Sequence, residues 1–158
     1  MKSLSKILLC LSFSLLFAAP VLRAQREKLP PEDVDFVEKT WPTAKKTSTG
    51  IRYIIQQNGT GESPKPGDLL SVLYVGKLLT GETFDEQINP EKPIKFRVGR
   101  DMVIQGWDQI LQLMKKGERR LVIIPSELAY GTRGKPPKIP RDATLLFVIE
   151  LKDIEREQ

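Results

Sequence analysis

The chain has 158 residues, 40% of them hydrophobic and 28% charged, with 11 Gly and 12 Pro. That make-up fits one turn-rich globular domain with attachments and excludes a disordered polymer. There is no histidine, and the one cysteine is Cys10, which excludes Ser-His-Asp and Cys-His nucleophile systems and histidine-ligated metal sites. It also rules out any disulfide or zinc knuckle beyond residue 10, although an all-carboxylate site stays open.

The first segment reads as an export signal. Lys2 and Lys6 precede an apolar run over residues 7–19, followed by Pro20 and the small residue Ala24. This is the three-part layout of a signal peptide, and the run is short of the ~20 apolar residues that span a bilayer. The expectation is cleavage after residue 24, with a retained anchor as the alternative. Cys10 follows Leu9 and comes too early for a lipid attachment site. The formal charge of +5 falls to +2 once Lys2, Lys6 and Arg23 are removed, leaving 22 basic and 20 acidic residues. Such a balance gives no reason to expect nucleic acid as a partner.

Residues 25–47 are charged and contain Pro30, Pro31 and Pro42. They are expected to form a solvated leader or linker. The alternative is one short amphipathic turn in which Val34, Phe36, Val37 and Trp41 dock on the domain. The domain itself is expected over residues 48–158.

Within it, residues 51–55 are β-branched and aromatic and read as a strand. A Gly- and Pro-rich turn follows over residues 58–68. Residues 69–79 are the next strand, and Thr80-Gly81-Glu82 suits a hairpin turn. Residues 83–85 start the return strand, and residues 94–98 alternate as a half-buried strand does. Val103, Ile104, Trp107, Ile110, Leu111 and Met114 fall on one face of a helix, with Asp101 as its N-cap. Residues 119–124 are a strand, residues 126–142 a long loop and residues 143–154 the last strand. The expected fold class is α+β, a twisted, mostly antiparallel sheet of four to six strands around one short amphipathic helix. Asp85 and Glu86 do not make a hydrolytic carboxylate pair, because neighbouring strand residues point to opposite faces.

Five stretches then carry a resemblance: Val72-Leu73-Tyr74-Val75-Gly76, Gly81-Glu82-Thr83-Phe84-Asp85, Val103-Ile104-Gln105-Gly106-Trp107, PSELAYG from Pro125 to Gly131, and Ala143-Thr144-Leu145 with Phe147. In this order and spacing the chain resembles the FKBP-type peptidyl-prolyl cis-trans isomerases over residues 48–155. The resemblance implies a half-barrel sheet around the helix and an apolar pocket that binds proline-containing segments. Trp107 would be the pocket floor, and Tyr74, Phe84 and Phe147 its walls. The N–H of Ile104 and the hydroxyl of Tyr130 would bond the ligand's carbonyls, and Asp85 would shape the polar rim. Phe96, Val103, Ile139 and Ile94 would be further substrate contacts.

Some positions depart from the family pattern. Pro90 stands where an arginine often pairs with the aspartate, Ile94 replaces a pocket phenylalanine, and Lys135 and Lys138 charge the flap loop. These changes bear on macrolide affinity and on substrate preference.

The implied reaction suits the composition. Rotation about a peptide bond has a barrier of ~18–20 kcal/mol and changes no covalent bond, so it needs no nucleophile, metal or cofactor. The expected partners are proline-containing, unfolded or partly folded exported polypeptides, in the periplasm or outside the cell. Macrolide inhibitors are further possible ligands, and the protein is expected to be a monomer. The competing reading is a proline-peptide-binding module or chaperone with little turnover. The flap loop lacks the inserted domain by which some relatives hold unfolded clients.

Overall fold

The computed structural model describes residues 27–157; the expected export signal lies outside these described residues. In chain order they form α1 (Pro31–Thr40), β1 (Lys45–Lys46), β2 (Arg52–Gln57), β3 (Leu69–Leu78), β4 (Thr83–Gln87), β5 (Ile94–Arg97), α2 (Gln105–Leu111), β6 (Arg119–Ile124) and β7 (Leu145–Glu155). Two 3-10 turns, Ser126–Leu128 and Gly131–Arg133, lie in the loop before β7. The seven strands make one open sheet in the order β1-β2-β6-β7-β3-β4, with β5 also on β3. Every pairing is antiparallel. The fold class is α+β, with seven strands where four to six were expected and two helices where one was.

The sheet's concave face carries the main core. Leu70 and Val72 of β3, Phe96 of β5, Val122 and Ile124 of β6, and Leu145, Phe147, Ile149 and Leu151 of β7 enclose Trp107, Ile110 and Leu111 of α2. Gly106 lets α2 approach β6 closely, since a Cβ there would stand 2.5 Å from Ile124 Cγ2.

The α2 helix is shorter than its apolar spacing predicts. It starts at Gln105, and its N-cap is Ile104 in an extended conformation, φ −58° and ψ 147°, with no side-chain cap. Asp101 is not the cap: it sits at φ 54°, outside the helix. Instead the carboxylate of Asp108, inside α2, accepts the N–H groups of Gly99 at 2.8 Å and Asp101 at 3.2 Å. The periodicity of Val103 and Ile104 reflects burial against the same core as the helix, and that burial does not require helical backbone.

Residues 27–47, expected as a solvated leader, fold onto the convex face. Val37 is fully buried, and with Leu29, Leu121 and Ile123 it forms a second core that Val34, Trp41, Ile54 and Leu146 flank. Pro31 at the start of α1 suits a position whose N–H has no helical partner. Polar ties complete the docking. Glu27 accepts bonds from Lys46 at 2.7 Å and Arg52 at 3.0 Å, and Asp33 accepts the hydroxyl of Thr144 at 2.6 Å. Lys28 pairs with Glu127. Among the described residues no helix is long and apolar enough to cross a membrane.

Candidate functional site

Between α2 and the concave face lies a cavity of about 180 Å³, lined by Tyr74, Phe84, Asp85, Ile94, Met102, Val103, Ile104, Trp107, Tyr130 and Phe147. Its floor is Trp107, 4% exposed. The indole meets Tyr74 edge-on at 4.9 Å and Phe147 edge-on at 5.4 Å, and Phe96 at a tilt at 5.9 Å. Phe84 meets Phe147 edge-on at 5.6 Å. Edge-to-face contacts put the positive edge of one ring on the negative face of the next, so the floor and its three walls brace one another. The indole N–H of Trp107 is buried with no acceptor among the described residues.

The strands explain how neighbouring residues reach one cavity. Tyr74 and Gly76 alternate onto the concave face of β3. Opposite them the register shifts: Gly76 pairs with Asp85 and Lys77 with Thr83, so Phe84 is the extra residue of a bulge. A bulge re-aims a side chain, and this one lets Phe84 and Asp85 line the same cavity although they are adjacent. Glu86 pairs with Val75, out of step with Asp85. Gly76 is needed where it stands, because a Cβ would lie 2.7 Å from Phe84 Cζ and 2.8 Å from Phe147 Cε1.

The polar groups are few. The Tyr74 hydroxyl donates to Asp85 Oδ2 at 2.8 Å. Burial, and then the Asp85 carboxylate, push this hydroxyl well above the usual phenol range. It therefore stays a proton donor at any physiological pH. Ile104 precedes α2 and its carbonyl accepts the backbone N–H of Trp107 at 2.9 Å, while its own N–H has no acceptor among the described residues. Tyr130 is the N-cap of the second 3-10 turn, Gly131–Arg133, and also lines the cavity.

Two of the substrate contacts named from sequence lie elsewhere. Phe96 is buried behind the floor against Trp107, and Ile139, 2% exposed, lines an adjoining hollow of the flap loop. Met102 lines the cavity and was missed; it is 60% exposed and falls outside the apolar helix pattern that drew attention to Val103.

Fold and cavity together define a protein with an aromatic cup, floored by a helix tryptophan and fitted with a small polar rim. A family profile described as FKBP-type peptidyl-prolyl cis-trans isomerase matches residues 60–152, more than half of the chain. The chain belongs to the FKBP-type peptidyl-prolyl cis-trans isomerase family. It is 51% identical over 92 residues to peptidyl-prolyl cis-trans isomerase FKBP2 of Mus musculus, covering 58% of this chain and 66% of that one. Over 111 residues it is 49% identical to FK506-binding protein 2 of Debaryomyces hansenii, covering 70% of this chain and 82% of the relative. The crystal structure of FkpA from Escherichia coli superposes with a TM-score of 0.70 at 39% identity, covering 78% of this chain and 58% of that one. The chain thus spans under two thirds of the length of the mouse relative and of FkpA.

Proposed function

We propose that this protein accelerates cis–trans isomerisation of X–Pro bonds in exported, proline-containing polypeptides, and that the aromatic cup is its active site. The observation that carries the reading is the cup itself: Trp107 ringed by Tyr74 at 4.9 Å and Phe147 at 5.4 Å, in a cavity with one carboxylate.

Such a cup can lower the barrier without bond chemistry. The planar amide is held flat by resonance that separates charge between oxygen and nitrogen, and twisting removes much of that separation. An apolar enclosure therefore disfavours the planar ground state more than the twisted transition state, which is differential binding. The proline ring packs on Trp107 between Tyr74, Phe84 and Phe147. The N–H of Ile104 and the hydroxyl of Tyr130 hold the carbonyls flanking the rotating bond and fix its twist. Asp85 orients the Tyr74 hydroxyl. Ile94, Val103 and Met102 extend the apolar rim, and Phe96 and Ile139 support it from behind. No cofactor or metal enters this mechanism.

The Lys2, Lys6 and residue 7–19 pattern supports export to the periplasm or beyond. A flap loop without an inserted domain favours turnover of unfolded or partly folded chains over holding them, and the protein is proposed to act as a monomer. Macrolides are proposed as competitors for the same cup. The test is cis-to-trans exchange of short X–Pro peptides by the protein, beside Trp107→Leu and a Phe84→Ala, Asp85→Ala double variant. The wild type is expected to accelerate exchange, and each folded variant to lose about tenfold or more in kcat/KM. A well-folded wild type without acceleration overturns the enzyme reading and leaves a peptide-binding module.

A further inference from the structure

We infer that the flap loop carries a carboxylate subsite beside the cup, so that the preferred substrates are proline segments with an acidic side chain close to the X–Pro pair. This inference rests on the isomerase reading of the cup. The flap loop, residues 126–142, presents four exposed cations: Arg133, Lys135, Lys138 and Arg141. None of them forms an ion pair among the described residues.

Two of the four are held at the mouth of the cup. Lys135 Nζ lies 5.5 Å from the centroid of the Tyr130 ring, and Lys138 Nζ donates to the Phe84 carbonyl at 3.0 Å. Tyr130 and Phe84 both line the cup. Paired backbone bonds, Lys135 N–H to the Ile139 carbonyl at 2.9 Å and Ile139 N–H to the Lys135 carbonyl at 3.0 Å, tie the lysine-bearing turn together. Lys135 and Lys138 line a hollow of about 270 Å³ with Phe84, Asp85, Pro136, Pro137 and Ile139. Phe84 and Asp85 belong to both cavities, so a chain whose proline sits on Trp107 passes directly into this hollow.

The chemistry of the hollow fits one kind of side chain. Its prolines and Ile139 suit a short apolar stem, and its two ammonium groups suit a terminal anion. Its own carboxylate, Asp85, is occupied by the Tyr74 hydroxyl at 2.8 Å and makes no ion pair with either lysine. A glutamate or aspartate of the substrate supplies the missing counter-charge.

The test uses short proline peptides with glutamate, glutamine or lysine placed in turn at each position flanking the X–Pro pair. Turnover of the glutamine peptides tests the isomerase reading; the order of the three tests the subsite. At one position at least, kcat/KM is expected to run glutamate, glutamine, lysine, about three- to fivefold per step in low salt, as for an exposed ion pair. The spread is expected to shrink as salt is raised to ~0.5 M. Lys135→Glu is expected to reverse the glutamate-to-lysine ratio. Equal values for the three peptides at every position, or a preference that salt and Lys135→Glu leave intact, overturns the subsite. If no peptide is turned over, the same ratios are read from peptide binding by tryptophan fluorescence, and a flat set overturns it equally.

Discussion

Strand β6 faces two cores at once, and the two are built differently. Val122 and Ile124 point to the concave side, toward Trp107 and Phe147; Leu121 and Ile123 point to the convex side, toward Leu29 and Val37 of the N-terminal segment. On the convex side branched aliphatic side chains interdigitate, and their edges are tied by Glu27, Arg52 and Asp33. On the concave side four rings meet edge to face and a cavity of about 180 Å³ remains open among them. Flat rings braced against one another can hold an open cup where aliphatic groups would close on it. The convex core therefore stabilises the sheet, and the concave core both stabilises it and shapes the site.

The sharpest way to separate the two is to cut one side chain from each. Ile110 is fully buried in α2, one turn beyond Trp107. Ile110→Ala is expected to cost about 2–5 kcal/mol in urea unfolding, and to lower kcat/KM of the folded fraction because the indole loses its support. Val37, equally buried on the other face, is smaller. Val37→Ala is expected to cost about 1–3 kcal/mol with the kcat/KM of the folded fraction unchanged. If Val37→Ala impaired turnover by the folded protein as much as Ile110→Ala, the division of labour between the faces would be wrong.

A methyl group added to the cup should do the reverse. Gly76→Ala places a Cβ 2.7 Å from Phe84 Cζ and 2.8 Å from Phe147 Cε1, so both walls must move. Overpacking of this kind costs about 1–3 kcal/mol. The larger consequence is expected in turnover, a fall of about tenfold in kcat/KM with the unfolding transition still cooperative. Retained activity in a folded Gly76→Ala protein would show that Phe84 and Phe147 do not set the shape that matters.

The concave side was the more legible in the sequence, and the reason is local. Residues 121–124 run as one apolar stretch after Arg119 and Arg120, and the strand occupies all six positions. The hairpin at Thr80-Gly81-Glu82 follows from turn chemistry, and the rings of the cup sit in runs whose order and spacing are distinctive. What escaped depends on partners distant in sequence. α1 has two inward apolar positions, Val34 and Val37, among charges, and its docking, weighed only as the alternative to a solvated leader, depends on Leu121 and Ile123, whose outward direction is fixed only once the sheet is formed. Asp101 looked like a helix cap because its type suits one. Asp108 takes the role of organising that loop from within the helix, a contact no spacing rule predicts. The bulge at Phe84 is likewise a matter of register between β3 and β4, and it alone explains why adjacent Phe84 and Asp85 line one cavity.

The smallest expected effect concerns the seam that holds the N-terminal segment. Burial raises the Glu27 carboxyl, but the Lys46 ammonium, the N–H groups of Leu29 and Lys28 and the Arg52 guanidinium outweigh it and hold the group at about 2. A carboxyl lowered on folding stabilises the folded state above its unfolded value near 4.5, and loses that contribution as pH falls toward 2. Glu27 is 36% exposed, so water screens its pairs and the gain is no more than about 1 kcal/mol. Glu27→Gln is expected to lower stability by that amount at pH 7 and to match the wild type near pH 2. It should leave peptide turnover per folded molecule unchanged, because the seam lies on the convex face. Urea unfolding of both proteins across pH 2–7 checks this. A difference that grew toward low pH would mean that Glu27 does not hold the segment through its charge.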